Sequence, residues 1–196
     1  MDDIKFAFLG ATKFSKEILF TLIEHGYIPQ VVFTIPELFD ISYSKGKKVK
    51  NFNYAPLKDI CIAHNIPLHI IDSNDKKVTD YEYLFSSLNL DVILVIGWYH
   101  MVPKIIREKA KLGAWGIHAS LLPNYAGGAP LVWAIINGEN QTGVTLFKLD
   151  DGVDDGDIIA QETIKIDHED SIKEVYDKAT NISKIILIDA LSKIPY

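Results

Sequence analysis

Leu90-Asp91-Val92-Ile93-Leu94-Val95-Ile96-Gly97 is a short, almost wholly apolar run that stops on a glycine, and it is the strongest strand signal in this chain. Upstream, Lys5-Phe6-Ala7-Phe8-Leu9-Gly10 repeats the pattern. So do the β-branched Gln30-Val31-Val32-Phe33-Thr34-Ile35, closed by Pro36, and Pro67-Leu68-His69-Ile70-Ile71. Apolar residues at helical spacing (Phe14, Ile18, Leu19, Leu22, Ile23) predict a helix over 14–26 that stops at Gly26. Further helices are expected at 54–65 and 78–89, with 37–53 irregular. Downstream come a short helix from Lys104 to Lys111 after Pro103, a strand at 114–118 and a helix at 130–138. Apolar runs at 143–149 and 157–166 and a helix from Ser171 to Lys193 complete the chain. Strands alternating with amphipathic helices imply an α/β fold built on a mainly parallel twisted sheet. The expected organisation is one domain over 1–196, its core in 4–166 and its terminal helix at 171–193. Ligands of such sheets sit beyond the carboxyl ends of strands, where Gly10, Gly97 and His118 are expected.

Composition narrows the function. With 196 residues, 48% of them hydrophobic, the chain can bury a core of its own. No apolar run reaches the eighteen or so residues of a membrane span, and Met1-Asp2-Asp3-Ile4-Lys5 does not open a signal peptide. Cys61 is the only cysteine, which fits a reducing compartment, so a cytoplasmic location is expected. A formal net charge of −6 counts against a broad nucleic-acid surface.

Two polar loops, each following an apolar strand, carry the chemistry. His118 ends one strand and leads into a loop with Ser120, Pro123, Gly127, Gly128 and Pro130, whose glycines let backbone approach a ligand closely. About thirty residues on lies Asp150-Asp151-Gly152-Val153-Asp154-Asp155-Gly156-Asp157. This acidic loop could be a solvated turn or a magnesium site. As a calcium loop it fails, because Val153 stands at the third ligand place and strands flank it. The functional alternative has one of its carboxylates facing His118 and favouring the charged imidazole. No resident metal is expected. Cys61 sits between Ile60 and Ile62 and reads as core, Ser120 lacks a nucleophile-elbow pattern, and Gly10-Ala11-Thr12-Lys13 holds no dinucleotide fingerprint.

Taken in order, Gly97-Trp98-Tyr99-His100-Met101-Val102-Pro103, His118-Ala119-Ser120-Leu121-Leu122-Pro123, Gly127-Gly128-Ala129-Pro130, Thr142-Gly143-Val144-Thr145 and Gly152-Val153-Asp154-Asp155-Gly156-Asp157 resemble the folate-dependent formyltransferases. The resemblance runs from Lys5 to about Ile166. It implies a Rossmann-like α/β fold, a mainly parallel sheet with helices on both faces, and formyl transfer from 10-formyltetrahydrofolate to an amine. His118 then resembles the catalytic histidine that stabilises a tetrahedral oxyanion. Asp154 resembles the aspartate that holds it and helps to remove the amine's proton. Trp98, Tyr99, His100, Met101 and Val102, with backbone at Asp150, Asp151 and Gly152, would hold the pterin. Two positions depart from the family pattern. Gly116 stands where an asparagine usually supplies an oxyanion donor, a loss typically costing on the order of 10²–10³ in rate, and Ala126 stands where arginine is common.

The amine acceptor is the finer question. Methionyl-tRNA formyltransferases resemble the chain but carry an added C-terminal domain, and glycinamide ribonucleotide transformylases have a different first loop. Sugar N-formyltransferases fit best through Gly97-Trp98-Tyr99 and Gly128-Ala129-Pro130-Leu131-Val132-Trp133, so a nucleotide-linked 4-amino-4,6-dideoxyhexose is expected. Lys45, Lys47, Lys48 and Lys50 cluster ahead of Asn51, Asn53 and Tyr54. They could hold a diphosphate or form a merely solvated loop, with Gly127 and Gly128 as further substrate contacts. A formyl-folate hydrolase or binding protein is the rival reading. Neither membrane nor nucleic acid is an expected partner, and a homodimer is compatible with the sequence.

Overall fold

A computed structural model describes residues 4–40, 48–72 and 77–194. The chain divides into two compact units, 1–114 and 115–196.

The first unit begins with β1 (Phe6–Leu9) and α1 (Lys13–Glu24), followed by β2 (Val31–Thr34), β3 (Leu38–Asp40), β4 (Lys48–Lys50), α2 (Lys58–Ala63) and β5 (Leu68–Ile70). A 3₁₀ turn (Val78–Tyr81), α3 (Glu82–Ser87), β6 (Val92–Val95) and α4 (Lys104–Arg107) complete it. Strands β5, β2, β1 and β6 lie side by side in that order, all parallel. β2, β1 and β6 are almost wholly buried on both faces, which is why each reads as a continuous apolar run, whereas β5 at the edge is partly exposed. Every residue of β1 and β2 is buried. Phe33 of β2 stacks on Phe85 of α3 with ring centroids 4.9 Å apart.

Local chemistry sets the ends of α1. Thr12 and Ser15 form a reciprocal capping box at its start. At its end Gly26 takes φ +84°, Gly26 N–H donates to the Ile23 carbonyl and Tyr27 N–H to the Leu22 carbonyl, so the predicted glycine stop is a Schellman-type terminator.

Several boundaries differ from expectation. The helix predicted over 54–65 covers only Lys58–Ala63 and has no side-chain cap. That over 78–89 splits into the 3₁₀ turn and α3, and the one over 104–111 stops at Arg107. The stretch 37–53, expected to be irregular, contains the antiparallel ladder β3·β4.

The second unit carries β7 (Ala114–His118, whose first residue closes the first unit), α5 (Pro130–Ile136), β8 (Gln141–Lys148), β9 (Ile158–Lys165) and α6 (Ile172–Ser192). β7, β8 and β9 pair antiparallel, with His118 opposite Thr145 and Gly116 opposite Phe147. A bulge interrupts β8·β9 at Leu146/Phe147, beside the strand that bears His118. α6 starts on a Ser171–Glu174 capping box and buries Val175, Ala179, Ser183, Ile186, Leu187, Ala190 and Leu191, a stripe that packs on β8 and β9. Among the described residues no helix is long and apolar enough to cross a membrane.

Candidate active site

His118 is the last residue of β7 and is buried to 9% exposure. Its two ring nitrogens meet two acceptors. Nε2 lies 2.8 Å from the Tyr125 carbonyl oxygen, and Nδ1 lies 3.4 Å from Oδ2 of Asp154. A neutral imidazole has one N–H and can satisfy one of these; the doubly protonated ring satisfies both. The 2.8 Å contact fixes the ring, whereas 3.4 Å is longer than a tight charge-assisted bond and leaves Nδ1 the freer nitrogen.

Asp154 reaches this place because its loop is tightly folded. The residue takes a left-handed φ of +52°, and Oδ2 accepts the Gly127 N–H at 2.8 Å. A Cβ on Gly156 would collide with the Lys148 backbone carbonyl, so the close approach that shapes the loop requires glycine there. Five non-glycine residues have positive φ among those described. Asn65, Asn89 and Asp154 are of the residue types that tolerate it, whereas Tyr125 and Ala129, both in the loop that follows His118, are not. Left-handed backbone at such residues costs on the order of 1–3 kcal/mol each and clusters at functional sites.

A third layer holds the loop after His118. The Ser120 hydroxyl donates to the Asn124 carbonyl at 2.6 Å, and Thr145 Oγ1 donates to the Ser120 carbonyl at 2.6 Å. Thr145 Oγ1 in turn accepts the Leu122 N–H and Nε2–H of Gln161, whose side chain also reaches the Leu122 carbonyl. Gln161, Tyr125 and Glu139 were not singled out from sequence, and Thr145 appeared there only as the end of a motif, with no role. The period-2 pairing of β7 with β8 could have found Thr145; Tyr125 acts through a carbonyl, which no side-chain pattern reveals.

Gly116 lies two residues before His118, on the same face of β7. An added Cβ would sit 3.1 Å from Cδ2 of Leu149 and 3.2 Å from Cε1 of Phe147. Apolar side chains, rather than an alternative donor, occupy the space that an asparagine at this position would need.

The remaining site residues fall as follows. Lys45 and Lys47 lie outside the described residues. Lys48 is exposed on β4, and Lys50 pairs with Glu37 at 3.3 Å. Asn51 is 2% exposed and committed to the protein: Nδ2 donates to the Ala11 carbonyl at 3.1 Å, while Oδ1 accepts from Asn53 N–H and from the Tyr99 hydroxyl, each at 3.0 Å. It reads as a tie between loops rather than a ligand contact. The Asn53 carbonyl accepts the Lys13 N–H, and Tyr54 bridges to Thr12. Gly127 spends its N–H on Asp154, whereas nothing would crowd a Cβ on Gly128. The loop after β1 is closed upon itself: Ser15 Oγ accepts from Ala11 and Thr12 N–H, Gly10 N–H donates to Phe33, and Lys13 N–H to Asn53. It offers no cradle of backbone donors for a phosphate, unlike a loop whose N–H groups point outward.

In the first unit, Trp98, His100, Met101 and Pro103 line a cavity of about 210 Å³ together with Ile71 and Val78. Trp98 Nε1 and His100 Nε2 are buried there without hydrogen-bond partners, and burial holds the His100 imidazole below its ordinary pKa. The largely apolar walls of this cavity suit a flat heterocycle. Tyr99 and Met101 are exposed and Val102 is buried. In the second unit, Asp150 Oδ1 accepts the Asp151 N–H, and a Cβ on Gly152 would collide with the Asp155 carboxylate. Among the described residues, no group of three or more metal-ligating side chains forms a metal site.

A paired histidine and aspartate on adjacent loops, in this order along the chain, coincide with a match to the formyl transferase family over residues 4–191. The chain belongs to that family. Curated relatives include the methionyl-tRNA formyltransferases of Flavobacterium johnsoniae and Clostridioides difficile, 34% identical over 194 residues and 36% over 189. They align with 99% and 96% of this chain but only 59% and 58% of their own lengths, so the chain spans less than two thirds of these relatives. The fold also matches phosphoribosylglycinamide formyltransferase from Bacillus halodurans, with a TM-score of 0.75 at 21% identity over 97% of this chain and 94% of that one. A formyltetrahydrofolate deformylase from Pseudomonas syringae pv. tomato matches with a TM-score of 0.77 at 20% identity, over 97% of this chain and 60% of the other. These likenesses bear out the Rossmann-like α/β expectation. They do not support closeness to sugar N-formyltransferases.

Proposed function

We propose that the chain catalyses transfer of a formyl group from 10-formyltetrahydrofolate to a primary amine, with His118 and Asp154 as its acid–base pair and residues 1–196 as one catalytic domain. The observation that carries this reading is the approach of His118 Nδ1 to Asp154 Oδ2 at 3.4 Å while Nε2 is anchored on the Tyr125 carbonyl. The amine nitrogen adds to the formyl carbon, whose carbonyl oxygen takes up negative charge. The adduct collapses as the bond to the folate nitrogen breaks, and that nitrogen leaves with the proton given up by the amine, so tetrahydrofolate and the N-formyl product form. The charged His118 ring stabilises that oxygen, and Nδ1 is the nitrogen available to give up and regain a proton. Asp154 orients the ring through Nδ1 and assists in taking the proton that the attacking amine loses. In the first unit, holding the pterin falls to Trp98 through Val102.

For the acceptor, the relatives favour the aminoacyl amine of methionyl-tRNA over the amino sugar read from sequence. The closed loop after β1 weighs against a glycinamide ribonucleotide site of the phosphate-cradle kind. The test is tetrahydrofolate formation with methionyl-tRNA, glycinamide ribonucleotide, a panel of nucleotide-linked amino sugars and an amine-free blank. Product that depends on methionyl-tRNA supports the reading. Product that depends on an amino sugar restores the sugar assignment, and turnover in the blank makes the chain a formyl-folate hydrolase.

A further inference from the structure

Tyr125 stands between His118 and a second anchor. Its carbonyl oxygen accepts from His118 Nε2 at 2.8 Å, and its own φ is +55°, left-handed in a residue that rarely adopts it. Backbone of this kind persists only where the surroundings over-determine it. At Tyr125 they do so through the phenol: its hydroxyl donates to Oε1 of Glu139 at 2.6 Å and accepts from Nδ2 of Asn137 at 3.1 Å.

Those partners are fixed by the end of α5. Gly138 takes φ +70° and donates to the Ile135 carbonyl, and Glu139 N–H donates to the Ala134 carbonyl at 3.0 Å, the pattern of a Schellman terminator. A short helix end therefore sets the place of one carboxylate and one carboxamide, and both grip the Tyr125 hydroxyl. The bond to Glu139 also holds the phenol above its ordinary pKa, so the O–H stays a donor throughout the neutral range.

We infer that Tyr125 is a positioning residue for His118, its hydroxyl tied to Glu139 and Asn137 so that its strained carbonyl stays aimed at Nε2. The inference rests on His118 being the proton-handling group of the proposed reaction. The strap fixes Nε2, and with it the direction in which Nδ1 faces Asp154.

Tyr125→Phe tests this by removing one oxygen and keeping the ring. The hydroxyl stands beside an open depression of about 440 Å³, so water competes for it and the effect is moderate rather than total. Long-range ¹H–¹⁵N spectra of the imidazole read the proton on His118 Nε2 without any turnover. In Tyr125→Phe, exchange of that proton with solvent should rise about tenfold, and kcat should fall about tenfold at little-changed KM, the scale of one lost charge-assisted hydrogen bond. Glu139→Ala should behave alike. Glu139→Gln, which keeps an oxygen for the hydroxyl, should stay within about twofold of the native protein. Because Tyr125 and Glu139 lie at the surface, thermal unfolding should be little altered. Imidazole spectra and exchange identical in Tyr125→Phe and the native protein would overturn the inference. A native protein that transfers no formyl group while its spectra respond as expected would instead refute the proposed function alone.

Discussion

Replacing Gly116 with asparagine should not simply rebuild a family-type oxyanion donor. Carbon atoms pack at about 3.5–4.0 Å. A Cβ at position 116 would stand 3.1 Å from Cδ2 of Leu149 and 3.2 and 3.4 Å from two carbons of the Phe147 ring, before the carboxamide is counted. Leu149 can yield at its flexible tip, but Phe147 is 3% exposed and its ring has little room. Overpacking of this kind costs about 1–3 kcal/mol. Removing a strand glycine returns about 0.5–1 kcal/mol, so Gly116→Asn should lose up to about 2.5 kcal/mol of stability. Phe147→Ala alone should lose about 3–5 kcal/mol through the cavity it leaves. In the double variant the carboxamide refills part of that cavity, and the two losses should fall short of additivity by at least about 1 kcal/mol. Urea unfolding of the four proteins, analysed at a common denaturant dependence, measures this coupling. Gly116→Asn as stable as the native protein, with additive losses in the double variant, would refute the claim that Phe147 and Leu149 occupy the asparagine's place.

Other outcomes follow from the site and core. Asp154→Asn removes the charge facing His118 Nδ1 while keeping the shape, and kcat/KM should drop about 10²-fold or more; a loss under threefold would place the proton-accepting role elsewhere. Burial pushes the Cys61 thiol up to about 11, so about one molecule in a thousand is thiolate at pH 8. Disulfide reagents should therefore modify Cys61 only on the timescale of unfolding, and rapid labelling of the native protein would contradict its burial. With the His100 imidazole held below its ordinary pKa by burial, the unfolded chain takes up a proton first as pH falls. That contribution to stability is intact above about pH 6.5 and is lost as pH falls towards the depressed folded value. In His100→Phe the slope of stability against pH over this range should flatten; an unchanged slope would mean that another group sets it.

The parallel strands of the first unit were legible because strands buried on both faces must be apolar throughout, as Val92 to Val95 are. The α1 and α6 boundaries were legible from their caps, Thr12 and Gly26 in one case and Ser171 in the other. Short helices were overdrawn because α2, α3 and α4 lack side-chain caps, and apolar spacing alone does not say where backbone pairing stops. Of the site, His118 and Asp154 stood out as side chains with chemistry. Tyr125 did not, since its contribution to His118 is a carbonyl whose direction depends on a left-handed backbone. Nor did the filling at Gly116, which requires the register that places Phe147 opposite it. Asn51 misled for the opposite reason: a polar residue near lysines looked like a ligand contact, yet its side-chain hydrogen bonds run to Ala11, Asn53 and Tyr99.

The most direct test of the central claim is tetrahydrofolate release from 10-formyltetrahydrofolate by the native chain and by His118→Ala, each with methionyl-tRNA and with no amine present. If His118 and Asp154 form the acid–base pair of a formyl transferase, release requires the amine and falls by about 10² or more in His118→Ala. Release of equal rate in the two proteins, or none from the native chain with any acceptor of the panel, would contradict it.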